Sequence, residues 1–180
     1  MSIFKKDNLL DFGEDFVLPF TNEWKKTYGY AMRKIEESSK NFEQVKFQLD
    51  SVLNVIIKDG QVYEDVVLKT TILYFLAKNN FVDVEELKQN YSEIILENIE
   101  ILLNDSNNKA LDEIFLNKKY AYLNKIKLAE LIALLNNTDN NKIINKIKLL
   151  TQVNTIIKNY KAKTHKKLMT MLIETANKAN

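Results

Sequence analysis

Apolar residues recur at intervals of three and four along nearly the whole chain, the spacing of one helical face after another. Trp24, Tyr28, Met32 and Ile35 share one face of a first predicted helix, which Thr21 or Asn22 can cap just after Pro19. Phe42, Val45, Leu49, Val52, Leu53 and Ile56 mark a second, broken by the Asp59-Gly60 dipeptide. A third, from Tyr63 to Ala77, is apolar on most sides and so belongs at the centre of the fold. Asp83 and Glu86 have capping-box spacing ahead of a short helix through Leu87. Ser92 opens another, carrying Ile94, Ile95, Ile99, Leu102 and Leu103. Asp105 to Lys109 reads as a polar loop, and the segment from Leu111 to Leu135 as helix in two pieces meeting near Asn117. The polar run Asn136 to Asn141 is the best linker candidate, and two helices follow it, Ile143 to Tyr160 and Thr164 to Ala176. The pattern predicts an all-α single domain, a bundle of roughly seven to nine helices.

Composition narrows the chemistry more than it enlarges it. The chain has 180 residues, long enough to bury a core without staples, and is 46% hydrophobic and 28% charged, ordinary for a globular domain. It has one histidine, His165, and no cysteine, so structural zinc and a Ser-His-Asp relay have almost nothing to be built from. Its three glycines, Gly13, Gly29 and Gly60, stand alone, which excludes a glycine-rich phosphate loop. No secretory pattern follows the first lysines and no apolar run reaches membrane-span length, so a cytoplasmic protein is expected.

Charge is near balance overall, +2, but unevenly placed. Residues 59 to 105 carry ten acids against three bases, while residues 141 to 180 carry nine lysines against the single acid Glu174. These surfaces attract each other or are solvated; the sharper reading is a basic face of Lys158, Lys161, Lys163, Lys166 and Lys167 for an anionic partner. Lysine without arginine or interleaved aromatics is a weak nucleic-acid signature, so nucleic acid is not the expected partner.

Two stretches carry a resemblance. The first runs from Glu64-Asp65-Val66-Val67 through Ile72-Leu73-Tyr74-Phe75-Leu76-Ala77-Lys78-Asn79-Asn80 to Val84-Glu85-Glu86-Leu87 and Tyr91-Ser92-Glu93-Ile94-Ile95. The second is Ile126-Lys127-Leu128-Ala129-Glu130-Leu131-Ile132. Together they resemble the HD hydrolase domain of RelA/SpoT-type alarmone enzymes, over roughly residues 25 to 140. That family holds a divalent metal, usually manganese, through a first His, a His-Asp pair and a later Asp. The resemblance puts the His-Asp pair on Tyr74-Phe75, the water-positioning Glu-Asp pair on Lys78-Asn79, the first His near Gln48 or Asp50, and the last Asp on Glu130. The family's following Arg and Asn become Leu131 and Leu134, and its Gly-Pro loop has no counterpart between Ser38 and Phe47.

These departures imply lost chemistry. A divalent ion needs several anionic or imidazole ligands converging on it, and a lysine at 78 repels a cation where the family wants negative charge. Without the ion, no bound water is acidified. The resemblance therefore implies a metal-free relative without hydrolase activity or cofactor, with a regulatory or interaction role. Its nucleotide-shaped cleft would lie near Tyr74, Lys78, Asn79, Lys127 and Glu130. The domain plan is a lead segment, 1–20, an HD-like helical core, 21–137, and basic C-terminal helices, 138–180, packed on the core or appended to it.

Taken one at a time, the same residues read more plainly. Glu130 is an exposed helix-turn carboxylate, a remnant ligand or a partner of Lys78; Lys127 is a solvated lysine rather than a phosphate contact; Tyr74 and Phe75 fill core volume or line an aromatic pocket. His165 is a surface residue, Trp24 is core, and Lys118, Lys119, Tyr120 and Tyr122 pack within the fold. Asp65, Asp83, Glu85 and Glu86 read as helix-terminal or capping residues rather than a paired-carboxylate site. The competing readings are an unrelated helical interaction protein that uses the basic C-terminal face on a protein partner, and a (p)ppGpp-type phosphohydrolase.

Overall fold

The computed structural model describes residues 23–38, 41–104, 108–137 and 143–179, and every regular element among them is helical. Two helices form its centre. Helix α3, Asp65–Lys78, buries Val67, Leu68, Ile72, Leu73, Tyr74 and Leu76 and packs against α1, Glu23–Ser38, and α5, Glu93–Leu103. Helix α7, Leu123–Asn137, buries 11 of its 15 residues between α2, Phe42–Asn54, and α9, Lys166–Ala179. Neither central helix has a strong polar face to offer solvent, and surrounding helices cover each. The short α4, Val84–Leu87, α6, Asn108–Leu116, and α8, Ile143–Tyr160, complete nine α-helices among the described residues.

Helix α2 ends as the Asp59-Gly60 dipeptide suggests, but through a π-helical turn, Val55–Asp59, closed by Gly60 N–H donating to Val55 O at 2.7 Å. A Cβ at Gly60 would lie 2.8 Å from Ile56 O and 3.1 Å from Leu168 Cδ2, so α9 seats directly on the bare glycine. Leu168, Met169, Leu172 and Ala176 of α9 and Val153, Ile156 and Tyr160 of α8 belong to the same buried cluster as the rest of the core. The Tyr160 ring stacks on Phe115 at 4.8 Å, and its hydroxyl donates to Asp112. The C-terminal helices are thus packed on the core.

Several local expectations change. Asp83 caps α4, but its carboxylate accepts from Glu85 N–H, and no reciprocal capping box forms. Glu86 is drawn instead to Lys34 and to the Tyr30 hydroxyl on α1. Asn108 and Lys109, expected in a loop, begin α6, while Asn136 and Asn137, expected in the linker, finish α7. Asn117 does divide that region: it accepts from Lys119 N–H and starts a 3-10 turn, Lys118–Tyr120. The 1–20 segment, the Thr21 and Asn22 caps, and residues 105–107 and 138–142 of the loop and linker lie outside the described residues. Among the described residues no helix is long and apolar enough to cross a membrane.

Candidate functional site

A cleft of about 230 Å³ opens where α2, α3 and α7 converge. Helical spacing builds it. Gln48 and Val52 stand one turn apart on α2; Thr71, Tyr74, Phe75 and Lys78 share a face of α3; Ile126, Glu130, Ala133 and Asn137 follow a four-three-four spacing on α7. Asn79, at the C-cap of α3, donates its amide to Phe75 O at 2.8 Å, fixing the end of the helix beside Lys78. Most of the wall is apolar, and the charged groups gather around Glu130.

This group is a compact electrostatic knot. Lys78 Nζ contacts Glu130 Oε1, Lys127 Nζ lies 2.7 Å from Oε2, and the Tyr74 hydroxyl donates to the same carboxylate at 3.1 Å. Glu130 is only 7% exposed and Lys127 only 2%. The expectations of an exposed Glu130 and a solvated Lys127 are both overturned. A charged residue is not normally buried unless paired, and these two are paired with each other one turn apart on α7. The pairing of Glu130 with Lys78 is present. Lys78 is the accessible member, its side chain 43% exposed, and its ammonium sits 5.4 Å from the Tyr74 ring centroid. Its place in the last turn of α3 also sets its charge against the negative end of the helix dipole.

Burial alone raises the Glu130 carboxyl, but the Coulombic attraction of Lys127 and Lys78 and their hydrogen bonds outweigh it and hold the group down to about 2. The folded value lies below the ordinary 4.5, so this contribution to stability is complete above pH 4.5 and drains away as pH falls toward about 2. Urea midpoints are expected to fall across that window more steeply in the native protein than in the double variant Lys127→Met/Glu130→Leu. Equal slopes would count against a charged Glu130.

Of the five residues expected at the cleft, Tyr74, Lys78, Asn79 and Glu130 line it, and Lys127 stands behind Glu130. Gln48 and Phe75 also line it, whereas Asp50 is fully buried and faces away, accepting from the Tyr28 hydroxyl at 2.6 Å and pairing with Lys46. Val52, Thr71, Ile126, Ala133, Leu134 and Asn137 went unnoticed as wall residues. Their shared helix faces were the available signal, but such faces belong far more often to a core. Among the described residues no three His, Cys, Asp or Glu side chains gather as a metal site.

The basic residues Lys158, Lys161, Lys163, Lys166 and Lys167 are all exposed around the α8–α9 corner, and none lines the cleft. His165, expected at the surface, is half-buried; its Nδ1 accepts from Leu168 N–H at 3.4 Å at the start of α9. Burial first, and then the nearby Lys125 and Lys167, push its pKa down. Lys119 pairs with Glu97 and the Tyr122 hydroxyl meets Asn98, so these two are engaged within the fold, while Lys118 is exposed and the Tyr120 side chain lies outside what the structure describes. Comparison with protein-family models, curated proteins and solved structures finds no match.

Proposed function

We propose that this chain is a non-catalytic, HD-like helical protein that binds a small molecule, such as a nucleotide, in a metal-free cleft and acts in regulation or interaction. The observation that carries the reading is the Lys78–Glu130–Lys127 knot with Tyr74. Tyr74, Lys78 and Glu130 stand at positions the resemblance assigns to metal ligation and water positioning, and Lys127 at the family's own lysine. Gln48, Tyr74, Phe75, Lys78, Asn79 and Glu130 are scattered through the sequence, yet they all border one cavity. That convergence supports a common origin of the cleft and the HD site. A cation seeking Glu130 has to displace two ammonium groups and then finds no second carboxylate among the described lining residues.

Isothermal titration with guanine nucleotides, with and without manganese, tests this reading. The expected result is saturable nucleotide binding that manganese leaves unchanged, and no alarmone turnover when metal is supplied. Tight manganese binding at neutral pH that disappears in Glu130→Gln, or alarmone hydrolysis by the purified protein, would overturn it.

The five exposed lysines at the α8–α9 corner favour a second reading, a basic docking face for an acidic protein partner. Reversing Lys161, Lys163 and Lys166 to glutamate should abolish capture of such a partner and leave cleft binding intact. Unchanged capture would dismiss the basic face.

A further inference from the structure

The chain's one histidine starts its last helix. His165 immediately precedes α9, and its carbonyl accepts from Met169 N–H at 3.0 Å, the first bond of the helix. The side chain turns over the same turn, with Nδ1 accepting from Leu168 N–H at 3.4 Å. This is the N-cap position, where serine, threonine, aspartate or asparagine ordinarily supplies the acceptor. The neighbouring Thr164 does not share the task, because its hydroxyl is buried with no hydrogen-bond partner among the described residues.

An imidazole fills that place only while it is neutral. Nδ1 then offers a lone pair and the proton sits on Nε2; once the ring is protonated, both nitrogens are donors and the cap bond is lost. The new charge also falls at the positive end of the helix dipole. No acid stands in the first turn of α9 to offset it, and the exposed Lys166 and Lys167 follow directly. Lys125 of α7 and Lys167 oppose protonation; Glu64, at the N-cap of α3, favours it but is already paired with Lys125 at 2.6 Å. Asp59 of the π-helical turn has Lys167 and Lys58 as its charged neighbours, and Lys161 and Lys163 of the preceding 3-10 turn are exposed.

The residue that the cap holds is the one that seats the helix. Leu168 is fully buried, and its side chain is the α9 group that lies over the bare Cα of Gly60. Loss of the cap therefore loosens the turn that keeps Leu168 in place.

We propose that His165 is a pH-sensitive latch on the C-terminal helix: neutral, it caps α9 and keeps Leu168 seated over Gly60; protonated, it releases the first turn of α9. The device does not involve the cleft, so it stands or falls apart from the function proposed above. Burial and Lys125 hold the His165 pKa below the ordinary 6.5, so the latch's contribution is complete above pH 6.5 and is lost as pH falls through the folded value. The Glu130 contribution is still complete down to pH 4.5, so the two do not overlap between pH 7 and pH 5.

Nuclear magnetic resonance of the untagged full-length protein tests the latch, since a single histidine gives an unambiguous ring signal. The ring should titrate below 6.5. From pH 7 to pH 5, protection of the Leu168 amide, corrected for the intrinsic pH dependence of hydrogen exchange, should fall about fivefold, the factor ordinarily lost with a helix cap. Ile72, at the centre of α3, should keep its protection. His165→Asn supplies a cap acceptor that does not titrate, so it should hold Leu168 equally well at both pH values; it also separates the imidazole from Asp59, whose carboxyl is raised by burial. A ring that titrates at or above 6.5, unchanged Leu168 protection, equal loss at Leu168 and Ile72, or a native pH response surviving in His165→Asn would overturn the proposal.

Discussion

Replacing Glu130 by glutamine is expected to cost about 3–5 kcal/mol of stability, the range for removing one partner of a buried ion pair. The loss comes from what remains. Lys127 is 2% exposed, with its ammonium 2.7 Å from Oε2, and glutamine turns an amide donor toward one of the two ammonium groups. Lys127 then loses the carboxylate that its buried ammonium faces, which is costly. The double variant Lys127→Met/Glu130→Leu removes both buried charges and should recover most of the loss, because well-packed apolar replacements of a buried pair are close to neutral. Chemical denaturation of native, single and double variants reads this directly. A Glu130→Gln cost below about 1 kcal/mol, the level of an exposed pair, would refute the buried pairing.

Deleting residues 141–180 is expected to abolish cooperative unfolding altogether. The deletion strips α9 from α7, exposing apolar side chains along the helix that floors the cleft, and removes Leu168 from above Gly60. A truncated chain should show helical far-ultraviolet dichroism without a fixed near-ultraviolet signal, as loosely packed states do. The milder Leu172→Ala keeps the helix and empties one fully buried position, for an expected loss of about 2–5 kcal/mol. A truncated protein that still melts in one sharp transition would show that α8 and α9 are ornaments to a self-sufficient core. Charge reversal, rather than truncation, is therefore the proper probe of the basic face.

The parts of this fold written in local periodicity were legible. The limits of α8, the break at Asp59-Gly60 and the division near Asn117 all follow from spacing and turn chemistry within a few residues. The part that depends on what faces what was not. Residue type argues that Glu130 and Lys127 are outside, since charged side chains seldom bury. Their burial is made tolerable by their own pairing one turn apart and by Lys78 of α3, which lies 52 residues from Glu130 in sequence. Glu86 illustrates the same limit on a smaller scale. Its spacing from Asp83 suits a local cap, but Tyr30 and Lys34 from a distant helix compete for it and win. The candidate cleft residues came from the resemblance rather than from periodicity. Its apolar walls carried no mark to distinguish them from ordinary packing.

Gly60 governs more than the end of α2. Its missing methyl is the socket into which Leu168 of α9 fits, and α9 in turn packs against α7, the helix that carries Glu130. An added methyl there would meet the Ile56 backbone oxygen at 2.8 Å and crowd the Leu168 side chain at 3.1 Å, so the turn itself and the seat of α9 would both have to give. Hydrogen at this Cα is what lets the turn and α9 meet so closely.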